Sequence, residues 1–173
     1  ILSRQYGVDV DKITWVAYED SHLAEFRDPA NVERFALAGR TLERMLIDGE
    51  IDAAVLGVEP AGPRLRTLFP EPAQAAREWY DRFGTLQLNH LFVVNTELSK
   101  QRPDVVRAIY DMLRRSKQLA PKTELGLDVL PFGVETNRRN LESAIDCAFE
   151  QKLIPRRYAV DELFDDTTRA LGQ

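Results

Sequence analysis

A single cysteine, Cys147, leaves the 173-residue sequence without an internal disulfide, so nothing covalent staples the fold. It lies in the helical run "NLESAIDCAFEQ" among apolar neighbours, with no histidine near it in sequence. That is the setting of an inert buried thiol and not of an activated thiolate. Histidine is nearly as scarce, with His22 and His90 the pair. They form no HxH, HxxxH or HExxH spacing, so no protein-bound metal is expected, although His22 stands close to Glu19 and Asp20. Positive charge is in deficit, with a formal net charge of −5, which argues against nucleic acid as a partner. The basic clusters "MLRRSK", "TNRRN" and "PRRY" each have acids nearby and read as solvated faces. No apolar run approaches the roughly 20 residues that span a bilayer, so membrane insertion is not expected. A Gly-rich phosphate loop, a GxSxG elbow and a Schiff-base lysine context are all missing, and no cofactor is implied.

What is present suits a globular chain long enough to bury a core, as one medium domain or two small lobes. "ILSRQYG" reads as the last turns of a helix stopped by Gly7. "KITWVAYED" alternates Ile13, Trp15 and Ala17 against Thr14, Val16 and Tyr18, a strand ending in acids. "SHLAEFRDPANVERFALAG" has no sustained period. In "RTLERMLIDGEIDAAVLGVEP", Thr41 is placed to cap a helix through Leu42, Met45 and Leu46, Gly49 ends it, and "IDAAVLG" predicts a short buried strand. Asp52 at that turn is expected to receive backbone N–H groups. "EPAGP" reads as a loop. "PAQAAREWYDRFG" puts Ala76, Trp79, Tyr80 and Phe83 on one helical face before Gly84.

"LQLNHLFVVN", Leu86 to Asn95, then predicts a buried strand on which His90 falls in phase with Leu86, Leu88, Phe92 and Val94. Its imidazole is either a hydrogen-bonded core group or faces a ligand. Beyond it the pattern is helical. Pro103 suits a first turn, with Val106, Ile109, Tyr110 and Leu113 behind it, and Leu141, Ile145 and Phe149 repeat the stripe in the next helix. Strands alternating with helices to about residue 95, then helices alone, indicate an α/β layer with a helical portion. The first residues, "ILSRQYGVDV", lack an initiator Met and start in mid-pattern, so an upstream portion carrying more of the sheet is expected.

Taken in order, "ILSRQYGVDVDKITWV", "LERMLIDGEIDAAVLGVEP", "RTLFPEP" with "AREWYDRFGTLQLNHLFVVNTEL", "PDVVRAIYDML" and "PFGVETNRRNLESAIDCAFEQKLIPRRYAVDELF" resemble the 4,5-dihydroxyphthalate decarboxylase family across nearly the whole chain. "LIDGEIDAAV" alone is common among solute-binding proteins. "TLFP", "NH" and the "FGVETNRRNLE" tail carry the decarboxylase-like likeness. That family is related to the type 2 periplasmic solute-binding proteins. The resemblance therefore implies an α/β, two-lobed type 2 periplasmic-binding-protein-like fold, here lacking the N-terminal part of lobe 1. Residues 1–86 would form most of the second lobe, and 87–173 a hinge strand with a helical return to the first. A hinge strand lines the cleft, so His90 would face ligand.

The implied activity is non-oxidative decarboxylation of a hydroxylated aromatic dicarboxylate, which requires a proton delivered to the ring carbon that loses its carboxylate. Histidine is the side chain type whose ordinary titration range suits that task, which makes His90 the catalytic candidate. Arginine is the natural bidentate clamp for a carboxylate, and Arg64 and Arg66, just before "TLFP", are the substrate-binding candidates. Glu19 joins them because it ends a strand, where open α/β sheets bind ligands. Trp15, Trp79, Tyr80 and Phe92 could stack on an aromatic ring, but their periods favour core packing. The alternative is a solute-binding protein capturing a small anionic or aromatic ligand for a transporter, since one fold serves both. The enzyme would be cytoplasmic and the transport component periplasmic, and a homo-oligomer is compatible with either.

Overall fold

The computed structural model describes residues 1–57, 62–120 and 127–172. The chain divides into two compact units, Ile1–Ala76 and Arg77–Gln173.

In the first unit, α1 (Leu2–Tyr6) ends as its sequence predicts, with Gly7 left-handed at φ 68° and its N–H returned to the Ser3 carbonyl at 2.9 Å. A 3₁₀ turn, Val10–Lys12, leads to β1 (Trp15–Ala17), which pairs in parallel with β2 (Val32–Arg34), Trp15 opposite Val32. β2 lies in the stretch where no period is visible, and tertiary hydrogen bonds explain its place. Asn31 Nδ2 donates to the carbonyls of Ile13 at 2.8 Å and Val10 at 3.3 Å, which aligns the two short strands. α2 (Leu42–Asp48) is capped by Thr41, whose Oγ1 accepts the Arg44 N–H at 3.2 Å, and it ends at left-handed Gly49. Tyr6 stacks on Phe69 with ring centroids 5.0 Å apart, and Gln5 Nε2 donates to the Ala75 carbonyl. Met45 is the buried apolar side chain of this unit among the described residues.

The division between the units falls within α3 (Pro72–Phe83). In the second unit Trp79 is buried, tilted against Phe83 at 4.3 Å, and its indole N–H donates to Thr85 Oγ1 at 3.2 Å. Gly84 turns the chain at φ 63°, where an added Cβ would meet the Arg139 guanidinium at 2.7 Å, so the helix stop is also a packing contact. α4 (Thr96–Gln101) is capped by Asn95, and α5 (Pro103–Leu119) starts on its proline as predicted. The core lies on α6 (Val134–Glu150), where Val134, Leu141 and Ile145 join Val160 from a following 3₁₀ turn. Leu88, Ile154 and Phe164 pack against this cluster, and α7 (Asp166–Arg169) follows. Cys147 sits half-buried on α6.

Two predicted strands are not formed. Residues 51–57 and 86–94 are irregular, and Val55, Leu91, Phe92 and Val93 are exposed, Val55 and Val93 by 80% or more. The reason is cooperative: a strand is half of a ladder, and among the described residues the β1–β2 pair is the whole sheet. Phe92, expected to pack in a core, is exposed for the same reason; Trp15 is exposed although β1 forms, with the β1–β2 pair the whole sheet among the described residues. The "EPAGP" loop lies partly outside the described residues. The element order is mixed α and β around a small two-stranded parallel sheet. Among the described residues no helix is long and apolar enough to cross a membrane.

The turn after α6 has a measurable pH signature. Glu162 accepts from both Arg156 nitrogens, at 2.6 and 3.1 Å, and from the Ala159 N–H at 2.6 Å. The Arg156 hydrogen bonds, then the Ala159 N–H, hold its carboxyl down at about 2, below the ordinary 4.5. Unfolding therefore takes up a proton at this group in acid. Its stabilisation is complete above the ordinary carboxylate range and drains away as pH falls from there towards about 2. Glu162→Gln is expected to flatten the stability profile across that window while changing little at pH 7 beyond the loss of an exposed ion pair. Urea midpoints between pH 2 and 5 check it.

Candidate functional site

His90 is held between two anchors. At one end the Leu86 N–H donates to Asn140 Oδ1 at 2.7 Å, and Asn140 itself is buried on α6. At the other, Asn95 Oδ1 accepts the N–H groups of Glu97 and Leu98 at 2.8 and 3.4 Å, which starts α4. Between them residues 87–94 make no backbone–backbone hydrogen bond within the described structure, and only Leu88 packs on the core. The segment is thus tethered by its ends and by one leucine. Asn140→Ala removes the acceptor and leaves a partly buried N–H unpaired. We expect a loss of about 1–3 kcal/mol, with faster amide exchange at Leu86 as the specific readout.

The His90 side chain is exposed, makes no hydrogen bond to another described residue, and faces a hollow of about 700 Å³ within the second unit. Leu88, Phe92, Ile109, Leu130, Phe132 and Phe164 are typical of its lining. Phe132 is fixed edge-on against Tyr110, centroids 5.4 Å apart. Lys117 also passes 5.4 Å from the Phe132 centroid, with its ammonium on Asp128 and on the Leu130 carbonyl at 2.6 Å. A charged member of the lining is Asp165, an acid whose Oδ1 accepts the Thr168 N–H and hydroxyl at 2.9 and 2.7 Å as the cap of α7. The hollow therefore offers an imidazole on apolar walls.

Arg64 and Arg66 lie together on a second hollow, of about 690 Å³, inside the first unit. Both are exposed, and neither has a hydrogen bond or ion pair to another described residue. Asp52 lines this hollow with them and receives no N–H bond from the backbone of a described residue, contrary to the expectation for the turn after α2. The reason is that residues 51–57 do not enter a sheet. Two guanidinium groups separated by one residue, without a partner among the described residues, are chemically suited to a carboxylate.

Glu19 lines neither hollow. Its side chain is exposed and its carbonyl accepts from Arg34 Nη1, while Arg34 forms a two-pronged pair with Asp28 at 2.7 and 2.8 Å. That pairing holds the Asp28 carboxyl below its usual range and leaves Arg34 committed. His22 is exposed, and among the described residues no three His, Cys, Asp or Glu side chains are grouped as a metal site needs.

Sequence reasoning missed Asn137, Asn140 and Asp165. The first two carried a signal: they sit at i and i+3, in phase with Leu141, so polar side chains fall on the buried face of α6. Asp165, ahead of Thr168 in "FDDTTR", has the spacing of an N-cap.

These residues can be set beside known proteins. The chain is distantly related to a decarboxylase. That relative is the 4,5-dihydroxyphthalate decarboxylase of Comamonas testosteroni, 29% identical over 160 residues, a match covering 80% of this chain. The chain spans 46% of that protein's length, about half. No protein-family model matches the sequence, and no solved structure matches it.

Proposed function

We propose that the chain carries part of a carboxy-lyase acting on a hydroxylated aromatic dicarboxylate, 4,5-dihydroxyphthalate or a close analogue, with His90 as the proton donor. The observation that supports it most is the exposed imidazole, without a hydrogen bond to another described residue, on an apolar hollow in a chain related to a decarboxylase. In the proposed reaction a ring hydroxyl conjugated to the reacting carbon feeds it electron density. The His90 imidazolium places its proton on that carbon, and a new C–H bond forms. The C–C bond to the carboxylate then breaks, its electron pair returns to the ring, and CO2 leaves. The product is 3,4-dihydroxybenzoate, and the imidazole regains its proton from water. Arg64 and Arg66 are the proposed carboxylate contacts.

The proposed frame is the two-lobed type 2 periplasmic-binding-protein-like fold, with residues 1–86 in one lobe and 87–173 running through the hinge to the other. What supports it is the ordered likeness of the chain's segments to the decarboxylase family, together with the parallel pairing of β1 with β2. Glu19 is a weaker candidate than the arginines, because it lines neither hollow. The test is incubation of the chain with 4,5-dihydroxyphthalate while CO2 and 3,4-dihydroxybenzoate are followed. Stoichiometric release of both supports the reading. Tight binding without any turnover overturns it in favour of ligand capture.

A further inference from the structure

The proposed reaction uses His90, yet a second side chain able to carry charge near neutral pH lines the same hollow: Asp165. Asp165 is half-buried, and its Oδ1 accepts both the N–H and the hydroxyl of Thr168, which is also in the lining. Ser99, 1% exposed and likewise in the lining, has a hydroxyl that makes no hydrogen bond of ordinary geometry. It nonetheless lies close enough to be the first of the groups that hold the Asp165 carboxyl down at about 2, ahead of the Thr168 hydroxyl and N–H. Asp165 is therefore an anion at neutral pH, and a pure acceptor. Its Oδ2 takes no hydrogen bond of ordinary geometry from a described residue, and it forms no ion pair with His90.

Resting on the reading above, we propose that Asp165 is a second substrate-contacting residue of this hollow, which recognises an aromatic hydroxyl and stabilises the positive charge that builds on it. In 4,5-dihydroxyphthalate each hydroxyl stands para to one carboxylate. The hydroxyl that drives the loss of a carboxylate is thus across the ring from the carbon that His90 protonates, and a ring lying between the two side chains serves both. In the ground state the hydroxyl donates to Asp165 Oδ2. When His90 delivers its proton to the ring carbon, the para oxygen lends a lone pair and takes on positive charge, which a fixed carboxylate holds more strongly than it holds the neutral phenol. As the C–C bond breaks, its electron pair returns to the ring and the oxygen is neutral again, its own proton still in place. Asp165 adds to the rate without exchanging a proton, and its charge turns the substrate's carboxylates away from it.

A helix cap alone is served as well by asparagine or serine, because both rank with aspartate at that position. The test compares Asp165→Asn and Asp165→Ser with the parent chain. It takes kcat for 4,5-dihydroxyphthalate, and Kd for that compound and for phthalate, which has the two carboxylates and no hydroxyl. Circular dichroism confirms the fold of each. The parent is expected to bind the dihydroxy compound about tenfold or more tighter than phthalate. In both variants that preference should shrink by about threefold or more and kcat should fall by about tenfold or more. Phthalate itself should bind the variants at least as well as the parent, since a repelling charge is gone. Folded variants that keep both the kcat and the preference of the parent overturn the proposal while leaving the decarboxylase reading standing. A parent that binds the dihydroxy compound and releases no CO2 overturns that reading, and the rate effect proposed here falls with it; the Kd ratios then decide recognition of the hydroxyl by themselves. If one variant fails to fold, the other carries the same outcomes.

Discussion

His90→Ala is expected to abolish CO2 release while leaving the Kd for 4,5-dihydroxyphthalate within about tenfold, or 1.4 kcal/mol. A positioned general acid contributes about 10²–10⁴-fold to a rate, so the loss of kcat should fall in that range or reach the detection limit. Binding should survive because the imidazole makes no hydrogen bond to the rest of the described structure, and its removal unpairs nothing. The segment that carries it is set by Asn140, Leu88 and Asn95, none of which is altered. Single-turnover CO2 measurement with parallel calorimetric titration checks both halves. A variant that loses affinity by a hundredfold with unchanged turnover per bound substrate would show that His90 binds and does not transfer a proton.

The second large effect is one of stability. Leu141→Ala removes a side chain that is 3% exposed from the cluster it forms with Val134, Ile145 and Val160. Truncating a buried leucine costs about 2–5 kcal/mol, through lost transfer energy and the cavity left behind. The upper half of that range is expected here. Asn140 stands directly before it on α6 and holds the Leu86 N–H, so the site has little freedom to collapse without breaking a buried polar contact. Leu141→Met, which conserves volume, should cost less than about 1.5 kcal/mol. Denaturant titration at neutral pH separates the two variants.

Much of this fold was legible residue by residue where the physics is local. The glycine stops at Gly7, Gly49 and Gly84, the Thr41 cap and the proline start of α5 depend on a few neighbours, and each is found where the pattern places it. The α6 stripe was legible through its period, and Leu141 and Ile145 are buried. The strands at 51–57 and 86–94 were not readable in this way. Apolar content marks a segment that can be a strand, but pairing partners decide it, and none is found among the described residues. β2 shows the converse, a short strand without a pattern that is held by Asn31. For the candidate site, the sequence picked out His90 as potentially ligand-facing, and it is exposed on a hollow. It placed Arg64 and Arg66 in a loop, and they share a hollow with Asp52, whose role it misjudged. Glu19 was chosen by its position at the end of a strand, yet β1 stops at Ala17 and its acids lie beyond the ladder.

The uneven distribution of sealed apolar side chains carries a consequence for calorimetry. Among the described residues, one unit contributes Met45 to that set, while the other contributes Trp79, Val106, Val134, Leu141, Ile145 and Val160. Heat absorbed on melting scales with the surface newly wetted, so the endotherm belongs mostly to residues 77–173. The β1–β2 pair is expected to add little heat of its own. A transition midpoint for this chain is thus expected to report chiefly on its helical part.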